Sequence, residues 1–214
     1  VYFTACYYLS FMFLDEIKKF EIILASQSPR RQFLLKELGI KYRLSNLHEV
    51  DETFPPGLNK FEIPVFLSEL KSGAYSEELI PGQILITADT IVWFENGVIN
   101  KPVNYQDAVC IIDKLQGAVH EVVTGVSLRS VHQKKSFYSH SEVCFAPLMK
   151  EEIRYYIDTF KPFDKAGAYG IQEWIGYAGI KEIKGSFYNV MGLPVQQLYH
   201  ELKEFVKMET KHKS

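Results

Sequence analysis

Cysteine is scarce in this chain: Cys6, Cys110 and Cys144 are the only three in 214 residues. They lie far apart, are odd in number and form no CxxC pair. That excludes a disulfide framework and leads to an expectation of free thiols in a reducing, cytoplasmic compartment. Charge of one sign is lacking too. Lys and Arg number 24 against 26 Asp and Glu, a net charge of -2. Neither nucleic acid nor a membrane surface is therefore expected as a partner, and any basic site has to be local. Long apolar runs are missing as well. The N-terminal VYFTACYYLSFMFL stops at Asp15, short of the ~20 residues that a membrane span needs. It also lacks the basic start and small-residue cleavage site of a secretory signal.

Familiar signatures are equally absent. There is no GxxxxGK[ST] loop, no GxGxxG after a strand, no HExxH, no GxSxG elbow and no zinc-like Cys/His spacing. No repeat, low-complexity tract or Pro/Gly-rich linker divides the chain. Its length fits one large domain or two small lobes, with a core that needs no disulfide or structural metal. The chain starts with Val, and Met12 precedes FLDEIKKFEIILAS; the expectation is that the native start is Met12 and Val1 to Phe11 is an upstream extension. The expected organisation is an N-terminal extension over 1–20, one domain over 21–208 and a frayed tail over 209–214.

What is present alternates between strand and helix patterns. Ile22 to Ala25 reads as a buried strand. Ser28-Pro29 opens a helix, since Ser can cap and Pro fits the first turn. Leu34, Leu35 and Leu38 form its stripe, and Gly39 ends it. KYRLSNL predicts a second strand and HEVDETFPPG an acidic loop; a helix is expected from Pro64 to about Leu79. ILITADTIVWF is the strongest strand, and NYQDAVCIIDKLQG the next helix. HEVVTGVSLRS and KSFYSHSEVCFA predict paired strands, and KEEIRYYIDTF a helix. The stretch from Asp164 to Pro194 is Gly-rich with short strands expected, and PVQQLYHELKEF closes with a helix. The fold class is α/β (α+β), with a central mixed sheet.

The chemistry starts at IILASQSPRRQFLL. A strand, a tight polar turn and a helix N-terminus together make an anion site, because free backbone N–H groups point outward and the dipole favours negative charge. Ser26 and Ser28 add hydroxyls; Arg30 and Arg31 add forks suited to phosphate oxygens. A cation in the first turn of a helix is unfavourable, so a polyphosphate is the expected counter-ion. In ADTIV, Asp89 interrupts an apolar strand. A buried carboxylate must be paired, hold a metal, or face a cleft, and as a functional group it would be a general base or a metal ligand. Thr90 points to the opposite face of a regular strand. Lys101, after a short apolar strand, and Lys71, on the helix from Pro64, could reach the same cleft. Glu52 in the acidic loop could share a divalent cation with Asp89. In DKAGAYGIQ, small residues allow close backbone approach, and the Gln172 amide can act as donor and acceptor to a base edge.

LASQSPRRQFLL, ADTIV, KP, TGV, DKAGAYGIQ and GSFYNVMGLP occur in that order. From about Ile22 to Phe205 the chain resembles the Maf family, the septum-formation-inhibitor-like nucleoside triphosphate pyrophosphatases. The resemblance implies an elongated mixed sheet, two lobes and a deep cleft, as in inosine triphosphate pyrophosphatases. It implies hydrolysis of a nucleoside triphosphate to monophosphate and pyrophosphate with Mg²⁺ or Mn²⁺. It assigns phosphate binding to Ser26, Arg30, Arg31, Lys71 and Lys101, catalysis to Asp89, and the metal to Glu52 and Asp89. One branch of the family takes dTTP and UTP, the other 7-methyl-GTP and similar nucleotides. Arg30, Thr90 and Gln172 resemble the first, and Lys71-Ser72 and Glu173 depart from its usual pattern. The expectation is a housecleaning dTTP/UTP pyrophosphatase, extending to modified pyrimidine triphosphates and possessing a homodimeric form. The alternatives are a 7-methyl-GTP or CTP pyrophosphatase and a non-catalytic nucleotide-binding regulator of division.

Overall fold

In the computed structural model, which describes residues 13–46 and 48–211, the first described element is a helical turn α1 (13–17). The chain continues through β1 (Glu21–Leu24), α2 (Pro29–Glu37), β2 (Arg43–Leu44), α3 (Glu62–Gly73), β3 (Gln83–Phe94), β4 (Gly97–Ile99) and α4 (Tyr105–Leu115). The long strands β5 (Val119–Arg129) and β6 (Lys134–Phe145) lead to α5 (Lys150–Phe160) and two single 3₁₀ turns, Pro162–Asp164 and Ala166–Ala168. Last come α6 (Trp174–Gly179), β7 (Ile180–Gly185), α7 (Phe187–Met191) and α8 (Val195–Lys211). The strand order is β2-β1-β3-β5-β6-β7, with β4 beside β3. β1 is parallel to β2 and β3, and the other pairings are antiparallel. The mixed sheet flanked by helices is the expected fold class.

β3 is central, which is why its sequence is nearly all apolar: both faces are covered. On one face α3 packs Ile63 and Leu67 against Ile91 and Val123. The main core, with Leu34, Leu35, Ile112, Tyr156, Leu198 and Phe205, fills the other. Along one edge β3 changes neighbour. Gln83–Ile86 pairs with β1, and Val92–Phe94 pairs with β4. Between them, residues 87–91 face no strand among the described residues on that edge. The sheet is split there, and Asp89 and Thr90 sit at the split.

Several boundaries differ from expectation. α3 starts at Glu62 because Asn59 Oδ1 accepts from the N–H groups of Phe61 and Glu62, while Glu62 accepts from the Asn59 N–H in return. It stops at Gly73, and residues 74–79 continue as turns. Ser28 makes no side-chain cap; Ser26 Oγ instead accepts from the Ser28 N–H at 3.2 Å and fixes the turn one step earlier. KYRLSNL supplies only the short strand β2. Expected short strands in the Gly-rich stretch are largely replaced by α6, α7 and the 3₁₀ turns, with β7 the one strand.

Residues 13–20 were grouped by sequence with an extension, yet they pack on the core. Phe13, Ile17 and Phe20 are buried, and the Phe13 ring meets Tyr199 of α8 edge-on at 4.8 Å. An aromatic turn ahead of β1 has apolar surface to bury, and α8 supplies the face. The expectation for Val1 to Phe11 lies outside the described residues. At the other end, α8 continues through Lys211, so 209–211 are helix and not a frayed tail; 212–214 lie outside the described residues. Glu209 is buried and accepts from Ser130 Oγ and Gln133 Nε2, each at 2.8 Å, which ties the β5–β6 turn to the last helix. Cys110 and Cys144 are free thiols; Cys6 lies outside the described residues. Among the described residues, no helix is long and apolar enough to cross a membrane.

Candidate active site

The split in the sheet opens into two adjoining hollows of about 400 and 1060 Å³. Arg30, Arg31, Glu52, Lys71 and Lys101 line both. Asp89, Thr90 and Gln172 line the smaller one, and Ser26 the larger. Every residue singled out in the sequence is thus in one cleft. The larger hollow is the polar end, walled by the Ser26–Arg31 turn and the acidic loop from His48 to Glu52. The smaller is more apolar, with Leu67, Ile91, Val98, Tyr169 and Met191 among its walls.

Its centre is Lys71. The ammonium lies 2.5 Å from Asp89 Oδ1 and 3.1 Å from Glu52 Oε1. Asp89 is only 8% exposed, and a carboxylate so placed in the middle of a strand needs a cation beside it. α3 provides that cation because its packing on β3 and β5 aims Lys71 at the split. Two carboxylates converging on one small cation form a donor set of the kind that holds Mg²⁺ together with phosphate oxygens. Among the described residues there is no group of three or more His, Cys, Asp and Glu side chains suited to a metal. Phosphate and water oxygens would have to complete any shell around Glu52 and Asp89.

The adjacent arginines divide their work. Arg30 stands at the cleft mouth, its Nη1 3.1 Å from Asp164 Oδ2 across the opening. Arg31 turns inward. Its Nε donates to the Gly192 carbonyl at 2.8 Å, Nη1 to the Ala88 carbonyl at 2.8 Å and Nη2 to Thr90 Oγ1 at 2.9 Å. The Ala88 carbonyl belongs to the unpaired edge of β3, so the guanidinium satisfies an acceptor that no strand reaches. Burial lowers the Arg31 pKa, opposed by the charge of Asp89. Expected to bind phosphate, Arg31 spends three of its five N–H donors on the protein and braces the cleft wall while still lining both hollows. Thr90 is likewise engaged, with Arg31 and with Thr124 Oγ1 at 2.9 Å.

Lys101 follows β4 at the cleft edge and makes no ion pair among the described residues. Gln172 points Nε2 toward Glu173 Oε1 at 3.5 Å, and its Oε1 is buried without a hydrogen-bond partner. Glu173 also pairs with Lys165 at 3.2 Å and accepts from the Tyr156 hydroxyl. Burial together with that anionic neighbour pushes the Tyr156 hydroxyl far above its ordinary range. Burial pushes Asp164 up, but Lys165 at 2.8 Å and then Arg30 outweigh it and leave the carboxyl below its usual value. Behind Tyr169, burial drives the His120 imidazole down to about 4, and its Nε2 lies 2.7 Å from the Tyr169 hydroxyl.

Asp164 and Lys165 are cleft groups that the sequence reading passed over. An acid–base pair opening a run of small residues in DKAGAYG was the available signal. Lys165 is only 7% exposed, and a lysine is rarely so buried without a task or a partner.

The family described as Maf-like protein matches residues 21–205. A dTTP/UTP pyrophosphatase of Parabacteroides distasonis is 49% identical over 192 residues, covering 90% of this chain and all of its own length. One from Bacteroides thetaiotaomicron is 51% identical, covering 89% of this chain and 99% of its own. One from Porphyromonas gingivalis is 44% identical, covering 90% and 98%. Among solved structures, a HAM1 protein from Coxiella burnetii aligns with 86% of this chain and 99% of its own, at 16% identity and a TM-score of 0.44, a loose superposition. With the family match running from β1 into α8 and relatives about half identical along nearly their whole length, the chain belongs to the Maf-like family.

Proposed function

We propose that the cleft hydrolyses dTTP and UTP to the nucleoside monophosphate and pyrophosphate. The observation that carries this reading is the Asp89–Lys71–Glu52 centre, seated between a polar hollow and a more apolar one. The relatives named dTTP/UTP pyrophosphatase, matched end to end, supply the substrate class. The triphosphate lies along the polar hollow, where the Ser26 turn, Arg30 and Lys101 meet its oxygens. The base enters the smaller one, toward Gln172.

Asp89 takes a proton from water as the water oxygen bonds to the α-phosphorus. The bond from that phosphorus to the bridging oxygen breaks, and pyrophosphate leaves into the polar hollow. Lys71, 2.5 Å from Asp89 Oδ1, holds that carboxyl group in place, and Arg30 and Lys101 offset charge gathering on the leaving group. Glu52 and Asp89 would hold Mg²⁺ or Mn²⁺, which neutralises phosphate charge when bound. Most of the rate comes from positioning and fixed charge.

The test is pyrophosphate release with Mg²⁺ or Mn²⁺ across dTTP, UTP, CTP, GTP, 7-methyl-GTP and ATP. Turnover led by dTTP and UTP supports the reading. A maximum at 7-methyl-GTP or CTP keeps the reaction and removes the substrate assignment. Binding without turnover points to a regulator.

Arg30→Ala is expected to raise KM for dTTP about tenfold with a smaller change in kcat, as loss of a charge-assisted bond to phosphate implies. The Asp164 it releases stays paired with Lys165, so folding is not at stake. Unchanged steady-state constants would remove Arg30 from phosphate binding.

A further inference from the structure

TGV in β5 was singled out by the resemblance, but it has no place in the chemistry above. Its Thr124 is fully buried and lies opposite Thr90 in the β3–β5 ladder. The Thr124 hydroxyl donates to the Asn189 carbonyl at 3.1 Å. Thr90 Oγ1 lies 2.9 Å from Thr124 Oγ1 and receives a hydrogen bond from Arg31 Nη2. Each hydroxyl has one proton. Since the Thr124 proton goes to Asn189, Thr90 gives its own to Thr124 at 2.9 Å or to the Gly192 carbonyl at 3.5 Å. The result is a chain that links Arg31, Thr90 and Thr124 to the segment 189–192.

Both ends of that chain hold the same segment. Arg31 Nε donates to the Gly192 carbonyl, and Thr124 donates to the Asn189 carbonyl three residues earlier. The Asn189 side chain is pinned as well, to the Val122 carbonyl and to Ser141 Oγ, each at 3.0 Å. Between those anchors, Val190, Met191 and Gly192 form a wall of the 400 Å³ hollow. Gly192 caps α7 at φ +112, its N–H donating to the Asn189 carbonyl at 2.9 Å. The backbone of α7 gives this wall its shape, and the hydroxyls beneath tie it to the sheet.

We infer that Thr124 is a positioning residue for substrate choice: it sets the wall 190–192 at the width that admits a one-ring base and disfavours a two-ring one. The inference rests on the pyrophosphatase reading above and deepens it. Thr90 acts in the same way, through the wall and without touching the base. A buried hydroxyl relay suits the task because losing a member leaves polar groups unpaired.

Thr124→Val removes the hydroxyl at nearly constant volume, and Thr124→Ser keeps it. The ratio of kcat/KM for dTTP over that for GTP is expected to fall about fivefold to tenfold in Thr124→Val. The change should lie in KM, and Thr124→Ser should keep the wild-type ratio. If Thr124→Val is unfolded by circular dichroism, Thr124→Ala takes its place. An unchanged ratio in the folded hydroxyl-free variant, or an equal loss in Thr124→Ser, overturns the inference and leaves the pyrophosphatase reading standing. If Val and Ala both fail to fold while Ser folds, the hydroxyl is purely structural and the inference falls. A wild-type protein that turns over no nucleoside triphosphate overturns the pyrophosphatase reading, and the inference with it.

Discussion

Asp89→Asn is expected to lower kcat for dTTP by about a thousandfold and leave the protein folded. The amide keeps the shape of the side chain and loses the basic oxygen. Nothing else in the smaller hollow replaces it: Glu52 is half exposed on its loop and Asp164 is committed to Arg30 and Lys165. The fold should survive because Lys71 keeps Glu52 at 3.1 Å and is itself partly solvated. No buried cation is stranded, and breaking such a pair is severe only when one is. Steady-state turnover, circular dichroism and dTTP binding measured on the same preparation separate the outcomes. Folded, nucleotide-binding protein with turnover within tenfold of wild type would remove Asp89 as the base.

The second large effect is on stability. A Cβ added at Gly125 would sit 2.2 Å from the carbonyl carbon and oxygen of Pro64 and 2.4 Å from the Val65 nitrogen. Those atoms are backbone at the start of α3, so no side chain can swing away. Gly125 also lies opposite Asp89 in the ladder. Either α3 lifts off the sheet or β5 bends. Gly125→Ala should cost about 3 kcal/mol, at the upper end of overpacking effects. For a chain of this length that is a fall in Tm of roughly 6–12 °C. Because α3 carries Lys71, kcat should fall as well. Gly73→Ala is the control: nothing lies within 4 Å of its added Cβ, and Ala suits a helix better than Gly, so its Tm should hold or rise. Equal Tm values for the two variants would show that α3 does not press on β5.

Much of the site was legible because its groups lie in short runs whose local structure is strongly coded. β1 and the Ser26–Pro29 turn announce themselves by an apolar run, two serines and a proline. Asp89 stands out by breaking β3. The two arginines differ for a geometric reason. Consecutive helical residues point about 100° apart, so two arginines that look equivalent in sequence face the cleft mouth and the sheet. Which one turns inward depends on the bare Ala88 carbonyl, a feature of strand pairing that no local pattern encodes. α6 was hidden by its glycines. Gly176 is required because the Ile171 carbonyl would lie 1.7 Å from a Cβ there, and a residue chosen for clearance weakens the helical signal. Residues 13–20 were misplaced because an amphipathic turn cannot reveal that its partner is a helix nearly 180 residues away.

That last contact has a consequence for synthesis. Phe13, Ile17 and Phe20 share one core with Leu198, Leu202 and Phe205 of α8, where Tyr199 meets Phe13 edge-on, and those residues are among the last helical ones to be made. Translation adds about 5–20 residues per second, so the first turn of the chain leaves the ribosome roughly 9–37 s before its cover exists. The β5–β6 ladder can zip up within that interval, but the flank of the sheet beneath α8 cannot close. Until α8 is made, the apolar residues of the first helical turn lack the part of the core that the last helix supplies.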